Sequence, residues 1–219
     1  MATDFKSRKY RQVRVGLVAS GLLALGIQSV SADTIRGVGF GDSLMAGFQL
    51  PNGAGFPGQL QTALRERGYD IEIMNAGVSG DTTSGGRERL DWSVGDDTDF
   101  VILELGGNDA LRGISPEITS ENLEAMIVRL QERKIDVLLA GIVAPPNMGE
   151  AYAEAFNPIF AELAAEYEVP LYPFFLEGAI TNPELMMGDG IHPTAEGVEV
   201  MVENFLPFMT EYLDSLPAS

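Results

Sequence analysis

The chain has 219 residues, one histidine, no cysteine, and 32 acidic against 14 basic side chains, for a formal net charge of -18. Without cysteine there is no disulfide, thiol nucleophile or thiolate metal ligand, and one histidine leaves any transition-metal site to carboxylates. So acidic a surface repels polyanions, which sets nucleic acid aside as a partner and makes anionic membranes poor docking sites.

Residues 1–32 read as a secretory signal peptide. Lys6, Arg8, Lys9, Arg11 and Arg14 form a positive head, Val15 to Ile27 an apolar core of 13 residues, and Val30-Ser31-Ala32 a small-residue exit. This tripartite pattern predicts cleavage after Ala32. The apolar core is short for a bilayer span of about 20 residues, so no stable membrane anchor is expected once it is removed. The expected location is periplasmic or secreted. The leader holds five of the basic residues and Asp4, so the mature 187 residues, 33–219, carry 9 basic against 31 acidic groups and a net charge of -22. That length suits a single domain with a core of its own. The acidity reads first as a solubility device, one suited to a saline habitat.

Within the mature chain, short apolar runs alternate with helical patterns. Ile35–Phe40 reads as a strand and runs into Gly41-Asp42-Ser43-Leu44. A helical pattern at 55–67 precedes a second strand, Ile71–Asn75, which ends on Gly77-Val78-Ser79-Gly80-Asp81. The third, Phe100–Leu105, ends on Gly106-Gly107-Asn108-Asp109. Helix 119–134 repeats Leu123, Ile127 and Leu130 at helical spacing. Strand Val137–Ile142, helix 153–167, a short strand near Pro170–Tyr172 and helix 195–214 complete the pattern. Strands apolar on both faces with helices between them predict an α/β fold: a parallel sheet inside helical layers.

The strands of a parallel sheet end on one shared edge, which is the usual binding crevice. Three glycine-rich polar turns follow three strands here, so they meet on that edge. Ser43 is the candidate nucleophile, although a serine in such a turn also serves as a helix N-cap. Its partner is the lone histidine, His192, in Asp189-Gly190-Ile191-His192-Pro193. His192 would take the Ser43 proton and Asp189 would orient the imidazole. Asp and His three apart also fit a helix-entry cap beside a surface imidazole. The backbone N–H groups of Ser43 and Gly80 and the carboxamide of Asn108 are candidate oxyanion donors. Gly80 and Asn108 equally suit turn and cap roles, and Asp109 reads as a loop support.

Other glycine-rich readings fail. Gly37-x-Gly39-x-Gly41 puts Asp42 where a pyrophosphate would sit, and there is neither a phosphate-binding Gly-Lys-Ser/Thr loop nor a Gly-x-Ser-x-Gly elbow. Met45, Leu111, Ile114, Pro145, Pro146, Met148, Phe174 and Phe175 are candidates to line the crevice, Leu111, Ile114 and Pro146 foremost. Their other reading is core and loop packing.

Taken in order, Gly-Asp-Ser-Leu at 41–44, Gly80, Gly107-Asn108-Asp109 and Asp189-x-x-His192 resemble the four blocks of the SGNH/GDSL hydrolase superfamily. Asn75 to Thr82, Gly107 to Gly113 and Pro145-Pro146-Asn147 are similar to its periplasmic thioesterase I/lysophospholipase L1 (arylesterase) group. The resemblance implies a flavodoxin-like three-layer α/β/α sandwich on a five-stranded parallel sheet. It implies a Ser43–His192–Asp189 triad with Ser43, Gly80 and Asn108 as oxyanion hole, hydrolysing aryl esters, lysophospholipids and acyl-thioesters through an acyl-enzyme. No cofactor or metal is called for, the substrate is a small ester or lipid-like molecule, and a monomer suffices. A carbohydrate O-deacetylase is the other enzyme of this superfamily to weigh, and an exported binding module on a hydrolase fold the non-enzyme alternative.

Overall fold

The computed structural model describes residues 34–217. The expected leader, 1–32, lies outside these residues.

The first strand, β1 (Ile35–Gly41), is followed by a one-turn helix, α1 (Ser43–Ala46), and by α2 (Phe56–Glu66). Next come β2 (Ile71–Gly77), α3 (Thr83–Ser93), β3 (Phe100–Glu104), α4 (Gly107–Arg112) and α5 (Pro116–Glu132). After β4 (Asp136–Ala140), the chain forms α6 (Glu150–Phe156), α7 (Ile159–Glu166), the two-residue β5 (Leu171–Tyr172) and α8 (Ala195–Ser215). All strand pairs are parallel and the order is β2-β1-β3-β4-β5. Helices cover the sheet on both sides, giving the expected flavodoxin-like three-layer α/β/α sandwich. In one layer α2 packs on α8, and in the other α5 packs on α3 and α7.

Every residue of β3 is buried, as are four of the five in β4. That is why these strands read as continuous apolar runs rather than as alternation. The core between sheet and helices is built from large side chains such as Phe40, Phe56, Phe100, Phe156 and Phe205.

The helices differ from the sequence reading in several places. The pattern at 153–167 is two helices, α6 and α7, broken at Asn157-Pro158. Pro158 has no N–H to give the preceding turn, and its ring crowds that turn's carbonyl. Helix α3 has no counterpart in the sequence reading. Its buried face, Thr83, Gly86, Arg89 and Leu90, has helical spacing but only one large apolar residue, so hydropathy carries no period there.

The register fixes the site's position. Gly41, the last residue of β1, pairs with Gly77 at the end of β2 and with Glu104 at the end of β3. The three following turns therefore start at one level of the sheet edge. Strand order reverses between β1 and β3, the place where open parallel sheets leave a crevice. The turns carrying Ser43 and Asn108 flank that switch point.

Candidate active site

Asp42, rather than Ser43, caps α1: its Oδ1 accepts the N–H of Leu44 at 3.0 Å. Ser43 is thereby the first helical residue, with its Oγ free of capping duty. The His192 Nε2 lies 2.9 Å from that Oγ, and the His192 Nδ1 lies 2.7 Å from Asp189 Oδ2. An ionised carboxylate only accepts, so Nδ1 donates to it and the Nε2 lone pair faces Ser43. Asp189 Oδ1 takes the N–H groups of Ile191 and His192 at 3.0 and 3.1 Å. The hydrogen bond from His192, reinforced by these two N–H groups, holds the Asp189 carboxyl down at about 2. Helix α8 is capped by Thr194, which accepts from Gly197, so neither Asp189 nor His192 serves as its cap.

The candidate oxyanion donors sit on the same sheet edge. Among the described residues, the N–H groups of Ser43 and Gly80 have no acceptor. Gly80 has φ +82°, a left-handed conformation that side chains resist, and its carbonyl is held by Arg112 Nη2 at 2.7 Å. Asn108 is the second residue of α4, not its cap. It donates one carboxamide N–H to Asp42 Oδ2 at 3.0 Å and keeps a second on the same nitrogen.

Beneath Ser43 lies a buried polar cluster that the sequence reading missed. The Asp42 N–H reaches Glu104 Oε2 at 3.3 Å, while the Gly41 carbonyl accepts from Arg89 Nη2 at 2.9 Å. One peptide bond, the one leading into Asp42-Ser43, is thus gripped on both sides by side chains from other elements. Gly41 must be glycine because any Cβ there would run into the Glu104 carboxyl and Met45. Arg89 also pairs with Asp81 at 2.7 Å, donates to the Ala76 carbonyl at 2.7 Å and lies 3.9 Å above the Phe40 ring centre. Burial lifts the Asp42 carboxyl to about 6, against the pull of the Leu44 N–H and Asn108. Glu104 is fully buried, with no salt bridge among the described residues, and burial, then the nearby Asp42, pushes it well above the usual carboxylate range. The one sequence signal was a glutamate ending the apolar run Phe-Val-Ile-Leu. Asp109 is buried too and accepts from the Thr83 N–H at 2.9 Å and from the Thr83 and Thr119 hydroxyls. It supports its loop as expected and ties α4 to α3 and α5.

A cleft of about 400 Å³ opens beside Ser43, Asn108 and His192. Leu111, Pro145, Pro146 and Phe174 line it, together with Ile142, Val143, Leu176, Ile180 and Ile191, which the sequence reading omitted. Ile114 does not line it; that residue is half-buried, and its carbonyl accepts from Tyr152 at 2.7 Å. Gly80 and Met148 are outside the lining as well. Met45 and Phe175 are core residues instead, 0% and 1% exposed, because each packs inward against other buried side chains. A second groove, of about 430 Å³ between α2 and α8, is lined by Glu66, Arg67, Glu199 and Glu203 and holds none of the reactive groups.

Residues 40–200 match the family model described as the GDSL-like lipase/acylhydrolase family. The chain is 44% identical over 157 residues to an arylesterase of Vibrio mimicus, covering 71% of this chain and 78% of that one. It is 36% identical over 176 residues to thioesterase 1/protease 1/lysophospholipase L1 of Escherichia coli K12, covering 80% and 82%. Among solved structures, it superposes on AlinE4, an SGNH-hydrolase family esterase, with a TM-score of 0.70 and 44% identity, over 85% of this chain and 99% of that one.

Proposed function

The chain belongs to the GDSL-like lipase/acylhydrolase family and is a serine esterase of the SGNH type, and from that premise we propose that Ser43, His192 and Asp189 carry its reaction. The Ser43 Oγ attacks the ester carbonyl as His192 Nε2 takes its proton. Asp189 keeps the imidazole in the Nδ1-H form and faces the positive charge that develops. The oxyanion is received by the N–H groups of Ser43 and Gly80 and the free N–H of Asn108. His192 then protonates the leaving alcohol, and water, deprotonated by the same Nε2, releases the acyl group from Ser43. The observation that carries this reading is the continuous chain Asp189–His192–Ser43, at 2.7 and 2.9 Å, beside an open cleft.

The substrates are carboxylic esters with an apolar acyl or aryl part, lysophospholipids among them, and acyl-thioesters where the enzyme meets them. The cleft's aliphatic and proline lining favours them over acetylated sugars. Trp92, the one tryptophan, is 76% exposed on α3 and is not part of that lining, so it offers no sugar platform there. Residues 33–219 act as one catalytic domain, monomeric and outside the cytoplasm, after loss of a leader at 1–32. In support, residues 1–32 have the charge and apolar pattern of an export signal.

Initial rates on p-nitrophenyl esters from acetate to palmitate, lysophosphatidylcholine, palmitoyl-CoA and an acetylated sugar, with Ser43→Ala as blank, test the reading. Ser43-dependent turnover of aryl esters and lysolipid supports it. Turnover of the acetylated sugar alone moves the protein to the deacetylase branch, and none at all sinks the assignment.

A further inference from the structure

The loop that carries Asp189 and His192 is held mainly by itself. Above the bridge between Met186 and Pro193, the Met187 N–H donates to the His192 carbonyl at 2.7 Å and the Gly190 N–H to the Met187 carbonyl at 2.9 Å. The N–H groups of Ile191 and His192 go to Asp189 Oδ1, which is in the same loop. The Asp189 side chain is 40% exposed, and the space beyond Gly188 and Gly190 is open. An imidazole on such a loop swings toward solvent unless something outside the loop holds it.

Two outside contacts do. One is the Nε2 contact to Ser43. The other is the ring of Phe48, whose centre lies 4.3 Å from that of His192 with the planes tilted 34°. Phe48 follows α1 in a turn bracketed by left-handed residues, Gly47 at φ +74° and Gln49 at φ +57°. The second is not glycine, so the turn keeps a strained backbone to put the ring where it is. The Phe48 N–H donates to the Ser43 carbonyl at 3.1 Å and the Leu50 N–H to the Gly47 carbonyl at 3.0 Å. The Phe48 backbone is thus tied to the residue of the nucleophile itself, Ser43. His192 lines the cleft and Phe48 does not, so Phe48 backs the imidazole on the side away from the substrate.

We propose that Phe48 is a positioning residue for His192, setting the imidazole against Ser43 and presenting an aromatic face to the positive charge that forms on it as it takes the proton. The proposal rests on the reading of Ser43 and His192 as nucleophile and base. A misplaced base lowers the chemical step, because proton transfer needs the two atoms within hydrogen-bond reach. Substrate binding in the cleft is untouched.

The test compares Phe48→Ala, Phe48→Leu and Phe48→Tyr with the parent protein. For Phe48→Ala, kcat on a p-nitrophenyl ester falls about 10- to 100-fold while KM stays within about threefold. Phe48→Tyr, which keeps the ring, restores the rate to within about threefold of the parent, and Phe48→Leu lies between. The rate at which a p-nitrophenyl phosphonate blocks Ser43 falls in step with kcat. Because the chain has one histidine, its ring-proton resonances identify themselves in an NMR spectrum. They are displaced by the Phe48 ring current in the parent and move toward free imidazole in Phe48→Ala. Unchanged kcat in Phe48→Ala, a rise in KM alone, or equal losses in all three variants with a lowered Tm each overturn the proposal. Full activity in Ser43→Ala overturns the catalytic reading beneath it, while the imidazole resonances report the Phe48 contact independently of activity.

Discussion

Asn108 donates to the buried carboxylate of Asp42 at 3.0 Å, across 66 residues of sequence. The bond fixes the plane of the Asn108 carboxamide and so aims its remaining N–H. In Asp42→Asn the new side chain can accept from Leu44 only by turning its own NH2 toward the Asn108 NH2. Two donors then face each other, and Asn108 must rotate away. The expected loss in kcat approaches that for removing an oxyanion donor outright, about 10²- to 10³-fold, with KM little changed.

The same substitution has a pH signature in stability. Burial raises Asp42 from 3.8 to about 6, so between those values the folded protein holds a proton that the unfolded chain releases. Its stability therefore declines as pH rises from about 4 to 6. Asparagine has no proton to lose, so the variant's stability relative to the parent rises between pH 4 and pH 8, by up to about 3 kcal/mol. Urea unfolding at pH 4 and pH 8 gives the comparison. A variant that loses ground to the parent between pH 4 and pH 8 would mean that ionised Asp42 stabilises the fold.

Asp189 shifts the other way. Its hydrogen bond from His192 and the two loop N–H groups hold it at about 2. Its contribution to stability is therefore present above 3.8 and fades as pH falls toward 2. Mild acidification leaves Asp189 ionised, so activity lost there does not come from this carboxylate. Asp189→Asn lowers kcat by more than tenfold but by less than the roughly 10⁴-fold seen when a buried triad aspartate is replaced. The reason is the 40% exposure of this carboxylate, which lets water take over part of its role. An Asp189→Asn variant at full rate contradicts the role of Asp189 as the group that orients His192.

How much was legible beforehand follows from how each part is encoded. The sheet was readable because β1, β3 and β4 are apolar on both faces, and the reactive turns because glycine and polar residues interrupt those runs. Ser43, Asn108 and His192 stood out by residue type and lie together on one edge and its cleft. Helix α3 stayed hidden because its buried face is made of threonine, glycine and arginine. Arg89 and Glu104 stayed hidden with it: each looks like a surface charge until the fold shows what it grips. Phe48 was invisible for a different reason, since its role depends on two left-handed turn residues that hydropathy does not register. Ile114 was chosen for nearness in sequence to Asn108, but Gly113 turns the chain in the left-handed region at φ +65° and Ile114 lies outside the cleft.

Glu104 gives the sharpest separation between charge and shape. Its Oε2 accepts the Asp42 N–H, and its Oε1 has neither a hydrogen-bond partner nor a salt bridge among the described residues. Its proton affinity is raised, so the folded protein retains the proton at pH values where the unfolded chain has lost it, and this term weakens the fold as pH climbs above 4.5. Glu104→Gln keeps the size and the accepting oxygen, and is expected to retain most of the parent's kcat and to gain relative stability as pH rises from 5 to 9. Glu104→Met keeps the volume but removes the acceptor. It strands the Asp42 N–H at a cost of about 1–3 kcal/mol and slows Ser43 by loosening the peptide bond that leads into it. Thermal unfolding at pH 5, 7 and 9, paired with kcat, distinguishes the two. If Glu104→Gln proves as unstable and as slow as Glu104→Met at pH 7, the site needs the carboxylate's charge and not only its shape.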